Sequence, residues 1–203
     1  MSDQVLNIPP LNPKEKKLCI PADLFSTMEQ VARACQVEIG MLGLLTQTEA
    51  GLVLTDLYIQ HQVVGASHVQ VDPDHIMDYQ SKFVSDGLIT PGCDDKFVRF
   101  AWHSHVDMDA IMSLPDRANF SALGGNGTKF DPPWWISMVM NRAGDYQIMY
   151  DQWQPMRLVA DITTITELGN PRYARFDLMA SIAKQVEEGP QTVIGGRPVK
   201  VRD

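Results

Sequence analysis

Cysteine is scarce in this sequence, and the three present, Cys19, Cys35 and Cys93, are odd in number and far apart. No C-x-x-C occurs, which excludes a thiolate zinc site and a disulfide framework and leaves buried or half-buried free thiols. Positive charge is short as well: 17 Lys and Arg stand against 25 Asp and Glu, a formal net charge of −8. A chain with that balance is not built to grip nucleic-acid phosphates. No apolar run approaches the ~20 residues of a membrane span. The opening MSDQVLNIPPLNPKEKK is polar and broken by prolines, unlike a secretory signal peptide. These absences point to a soluble cytoplasmic protein with no nucleic-acid or membrane partner. Nothing in them bears on oligomeric state.

What remains is a 203-residue chain, 44% hydrophobic and 21% charged, enough for one globular domain with a sizeable core. Residues 1–17 read as a surface arm, and 18–203 as the domain. Leu18-Cys19-Ile20 is a short apolar strand ended by Pro21. From Ala22 to Ala34, Leu24, Phe25, Met28, Val31 and Ala32 recur at helical spacing and predict an amphipathic helix. Val37 to Leu45 reads as a buried strand, Leu52 to Val64 as β-rich, and Ala66 to Val71 as a further strand. Asp72-Pro73-Asp74 opens a helix expected to end near Ser85 to Gly87. A strand over Phe97 to His105 precedes a helix near 113–123. Trp134 to Met140 and Tyr146 to Trp153 form a hairpin around 141–145. A strand over Met156 to Thr166, a helix after Pro171 to about Glu188, and a short closing strand with the Gly195-Gly196 turn complete the pattern. The expected fold is a single mixed α+β domain with a central, mostly antiparallel sheet flanked by helices.

The chemistry concentrates in Trp102-His103-Ser104-His105 and in Ser113-Leu114-Pro115-Asp116. Side chains alternate along a strand, so His103 and His105 point one way, while Ser104 points the other way with Val98, Phe100 and Trp102. Two imidazoles on one strand face can fill two corners of a zinc site, and catalytic zinc wants a third protein ligand and an open position. Asp116, near the start of the next helix, can turn back to supply it. Each half has a plain structural reading: a lone H-x-H is more often incidental, and Ser113 with an acid three residues on is a helix cap. Their joint spacing arises by chance roughly once in two thousand sequences of this composition.

His103-Ser104-His105, seven residues, Ser113, two residues and Asp116 resembles the JAMM motif of the MPN-domain metallopeptidases. Glu38, in Val37-Glu38-Ile39-Gly40-Met41-Leu42-Gly43, is similar to that family's upstream glutamate, and the order of elements over roughly 18–155 is similar too. Val106 stands where the family commonly has proline, and Phe100 and Ala101 where a glycine is usual; neither change removes a ligand. The resemblance implies an MPN/JAMM-like fold and one Zn2+ per chain on His103, His105 and Asp116. It implies Glu38 as general acid/base and Ser113 as donor to the oxyanion. It further implies a peptidase or isopeptidase acting at the C-terminal tail of ubiquitin or a ubiquitin-like protein. A non-catalytic scaffold of the same fold, or a peptidase of phage or cell-envelope substrates, are the rival readings; retention of all five motif residues favours an enzyme.

Other residues have bland roles by type. Glu49 reads as part of a turn, His61, His68 and His75 as surface or satisfied polar groups. Asp107 and Asp109 are close enough in sequence to support the ligands, though solvated loop acids are the safer reading. Gly124-Gly125-Asn126-Gly127 has no following Lys-Ser/Thr and is no P-loop. The 124–133 loop, with Trp134 and Trp135 behind it, is a candidate substrate-contacting insertion. There is no H-E-x-x-H, no G-x-S-x-G and no H-x-E with P-C-x-x-C.

Overall fold

A computed structural model describes residues 18–49, 51–65, 68–71, 81, 83–87, 96–118, 134–153, 158–162, 165–168 and 186–188. The expected arm over 1–17, the 124–133 loop, His75 and Cys93 lie outside them.

Strand β1 (Leu18–Pro21) leads directly into helix α1 (Ala22–Ala34). The helix starts after Pro21, whose ring fixes a backbone angle of φ −57°. It buries Leu24, Met28, Val31 and Ala32, the face set by their spacing. Strands β2 (Gly40–Thr48) and β3 (Gly51–Tyr58) form a hairpin with Glu49 in its turn, where Gly51 takes a positive φ of 127°. Next come β4 (Gln62–Gly65), β5 (His68–Val71), β6 (Lys96–His105), β7 (Trp134–Asn141) and β8 (Tyr146–Gln152). Strands β9 (Leu158–Asp161), β10 (Ile165–Leu168) and β11 (Val186–Glu188) follow.

Eight strands make one sheet in the order β10-β1-β3-β2-β6-β7-β8-β9, and β11-β4-β5 make a smaller one. The β10–β1, β1–β3 and β6–β7 pairs are parallel, and the other four pairs of the large sheet are antiparallel. Strands β9 and β10 lie at opposite edges of this sheet, yet Asp161 and Ile165 are four residue steps apart. Four steps reach at most ~14 Å. A flat eight-stranded sheet would hold its edges ~34 Å apart, at ~4.8 Å per neighbour. The sheet must therefore curl until its edges approach.

That geometry corrects the expected fold. The protein is mostly sheet, curled into a half-barrel, and is not a central sheet flanked by helices. The inner face closes around α1, since one apolar cluster joins Leu24, Met28 and Val31 to Leu54, Phe100, Trp102, Met138 and Ile148. Local details differ as well. The strand expected over 156–166 is two strands on opposite edges, and 186–188, expected as helix, pair with Gln62–Val64 as β11. Pairing with an available strand edge outweighs helix propensity over three residues. Helical residues are also described at 83–85 and 114–118. Among the described residues no helix is long and apolar enough to cross a membrane.

Candidate metal centre

Strand β6 lies between β2 and β7, so its backbone is held from both sides. Gly40 pairs with His103, His103 with Val139, and Val139 with Gln147, which makes one row across four strands. Paired residues share a face, so His103 and His105 project from the face opposite the one carrying Trp102, Met138 and Ile148. One expectation about that face fails. The register jumps from Gly43↔Phe100 to Leu44↔Val98, which leaves Arg99 as an extra, bulged residue. Val98 is thereby turned to pack with Ala101, Leu42 and Trp135, on the histidine side. Phe100 and Trp102 remain in the inner cluster.

The chain leaves His105, loops through 106–113 and returns as the short helix at 114–118. Its start is a reciprocal cap: Asp116 N–H donates to Ser113 Oγ (3.2 Å), and Ser113 N–H donates to Asp116 Oδ2 (2.8 Å). The Ser113 hydroxyl also donates to Oδ2 at 2.5 Å. Capping and ligand geometry thus converge on one oxygen. Asp116 Oδ2 lies 3.6 Å from His103 Nε2 and 3.8 Å from His105 Nε2, and the two Nε2 atoms are 3.2 Å apart. Zinc ligands at ~2.0–2.1 Å in a tetrahedral arrangement are ~3.3 Å from one another. The three atoms therefore fit a single small divalent cation.

The tautomer of neutral His105 agrees with that fit. His105 Nδ1–H donates to the Asp109 carbonyl at 2.6 Å, which leaves the Nε2 lone pair facing the cluster. Burial alone would depress His105, but Asp116, the Asp109 carbonyl and Glu38 hold its pKa above the ordinary value. Burial pushes Asp116 upward, yet both histidines and the Ser113 hydroxyl overcome it and hold the carboxyl far below the usual range. The donor set is a carboxylate and two imidazoles, which suits zinc without singling it out.

Glu38 is not inside β2. It sits two residues before the strand, in an extended segment that continues the β2–β6 pairing. Ile39 N–H donates to Ser104 Oγ and Ser104 N–H donates to the Ile39 carbonyl, each at 2.9 Å. With Gly40 opposite His103 and Ile39 opposite Ser104, Glu38 falls opposite His105 on the histidine face. Its side chain is buried, and Oε1 has no hydrogen-bond partner among the described residues. Burial raises its pKa from the ordinary 4.5 to about 7, with the His105 charge opposing and Asp116 adding to the rise. On the other edge of β2, the Gln62 amide accepts from Gly40 N–H (2.7 Å) and donates to the Gly40 carbonyl (2.9 Å).

The loop acids do different work. Asp107 pairs with Arg142 at 3.2 Å, and the same guanidinium donates to the Cys35 carbonyl at 2.7 Å. Asp109 supports His105 through its backbone carbonyl. Sequence reasoning missed Gln62, Arg142, Ser104 and Gln147. No local signal marks them, because each acts on a segment distant in the chain. Cys19 and Cys35 are free thiols. Burial pushes the Cys35 thiol up, against the pull of Arg142.

A half-barrel of mixed sheet, with two histidines on its central strand β6 meeting an aspartate from the short helix that follows, is the class that fold and site define. No protein-family profile matches the chain, and no curated protein matches it. Among solved structures, it is similar to the solution structure of protein DSY2949 from Desulfitobacterium hafniense, with 15% sequence identity and a TM-score of 0.50. The match covers 74% of this chain and 94% of that one. At that identity the likeness speaks for the fold alone.

Proposed function

We propose that the protein is a metal-dependent hydrolase of the JAMM peptidase type, with His103, His105 and Asp116 holding one Zn2+ per chain. The observation that carries this reading is the convergence of two imidazole Nε2 atoms and one carboxylate oxygen within 4.8 Å, beside a buried glutamate. When bound, a divalent cation supplies Lewis acidity, acidifying water and polarising a carbonyl oxygen. Glu38 serves as general base and then acid: a carboxyl with a pKa of about 7 can take a proton from water and return it to a leaving amine. Ser113 supplies a donor to the oxyanion once its hydroxyl rotates away from Asp116 Oδ2. The substrate we assign is an extended C-terminal tail of ubiquitin or a ubiquitin-like protein, joined through a peptide or isopeptide bond. We assign the protein to the cytoplasm, where free thiols such as Cys19 and Cys35 persist.

Elemental analysis of the purified protein tests the metal. About one zinc per chain is expected, and Asp116→Ala should lose most of it. Wild-type protein that contains none and takes up none on titration would overturn the reading.

A further inference from the structure

We infer that Gln147, on a strand that carries no ligand, positions Asp116 for the metal and so sets the affinity of the site. The inference rests on the metal reading above. His103 and His105 sit on a strand paired along both edges, so their positions are determined by the sheet. Asp116 has no such support. It rides on a short helix at the end of an eleven-residue excursion from His105, and its oxygen must meet both imidazoles to within a few tenths of an ångström.

Apart from those of Asp116 with the two histidines, the described contacts that tie this excursion to the sheet and its β7–β8 turn fall at three places. Asp107 pairs with Arg142, and the Asp109 carbonyl meets His105, both at its beginning. The third lies at Met112, immediately before the Ser113 cap. Met112 N–H donates to Gln147 Oε1 at 2.9 Å, and its side chain is buried against Val139 and Met149. Gln147 belongs to the same cross-strand row as His103, two strands away, at a spacing of roughly 10 Å. The row therefore reads His103, Val139, Gln147: ligand, floor, clamp. The loop is drawn across Val139 and fastened at Gln147, which leaves Ser113 and Asp116 directed back at the histidines. Gln147 is itself oriented, because its Nε2 donates to Asp161 Oδ1 at 3.1 Å on β9.

Partners that orient ligands directly typically carry a 10–100-fold share of metal affinity, and Gln147 acts on Asp116 through the Met112 backbone. Gln147→Leu should bind Zn2+ about 10–100-fold more weakly than wild type in a competition titration against a chromophoric chelator. At saturating Co2+ its d–d absorption should weaken and shift, because Asp116 leaves the ligand set while both histidines stay. A residue that only stabilised the fold would lower the urea midpoint of the metal-free protein and leave the saturated Co2+ spectrum unchanged. The swap Gln147→Glu with Asp161→Asn rebuilds both hydrogen bonds, with Glu accepting from Met112 N–H and from the new amide, and should restore affinity and spectrum. Wild-type Zn2+ affinity in Gln147→Leu, or an unchanged Co2+ spectrum, overturns the inference while the metal reading stands. Wild-type protein that binds neither ion overturns both.

Discussion

In metal-free protein, Glu38→Gln should remove one distinct pH-dependent contribution to stability. Glu38 is buried at 3% exposure with Oε1 unpaired among the described residues, and its pKa stands at about 7 against an ordinary 4.5. The folded state therefore binds the proton more tightly than the unfolded chain does. The contribution of Glu38 is full below pH 4.5, falls as pH rises towards 7, and levels off above that, because ionising the folded carboxyl is what burial opposes. A gap of that size corresponds to an upper limit on the order of 3 kcal/mol; screening by nearby water brings the expectation to about 2 kcal/mol. Glutamine keeps the shape and cannot ionise. Urea unfolding with chelator present, at pH 5 and pH 8, should find the variant close to wild type at the lower pH. At the higher pH the variant should be more stable by about 2 kcal/mol. Titrating groups remote from Glu38 are common to both proteins and cancel in the difference; His105, whose pKa Glu38 helps to hold up, shifts with it and reduces the gap. A stability difference that does not change between the two pH values would refute the account of Glu38 as a buried, uncompensated carboxyl. Zinc should shrink the difference, since a nearby cation favours the ionised form. The same variant should retain zinc and lose turnover by a large factor, as measured on any substrate wild type cleaves.

Ser113→Ala removes both halves of the hydroxyl's role, the acceptor for Asp116 N–H and the donor to Oδ2. It should cost about 0.5–2 kcal/mol of stability by chemical denaturation, and lower kcat by roughly 10²–10³ with zinc retained; unchanged kcat would confine Ser113 to capping. Gly43 sits where β2 crosses two side chains. A methyl group there would lie 2.6 Å from Leu54 Cδ1 and 2.7 Å from Phe100 Cδ1. Gly43→Ala should therefore destabilise by about 1–3 kcal/mol in a thermal or urea melt, and a neutral result would mean that Leu54 and Phe100 repack freely.

Residue spacing alone determined much of the local structure and the composition of the cluster of two histidines and an aspartate. The alternation of His103, Ser104 and His105 dictates which two side chains share a face as soon as the segment is extended. The Ser113 to Asp116 spacing dictates a reciprocal cap, and the stripe through Leu24, Met28 and Val31 dictates α1. These are short-range consequences of backbone geometry, legible before any contact is known. The rest needed contacts between distant segments. Curling of the sheet follows from β9 and β10 finding opposite edges, which no local pattern encodes. The bulge at Arg99, which turns Val98 to the histidine side, depends on the register against β2. The elevated pKa of Glu38 comes from burial opposite His105, and the clamp of Gln147 on Met112 joins residues 35 apart. Sequence named the three side chains that converge because chemistry limits which side chains can bind a cation; only the tertiary structure decided where their supports lie, because any strand that passes close enough with an amide can serve.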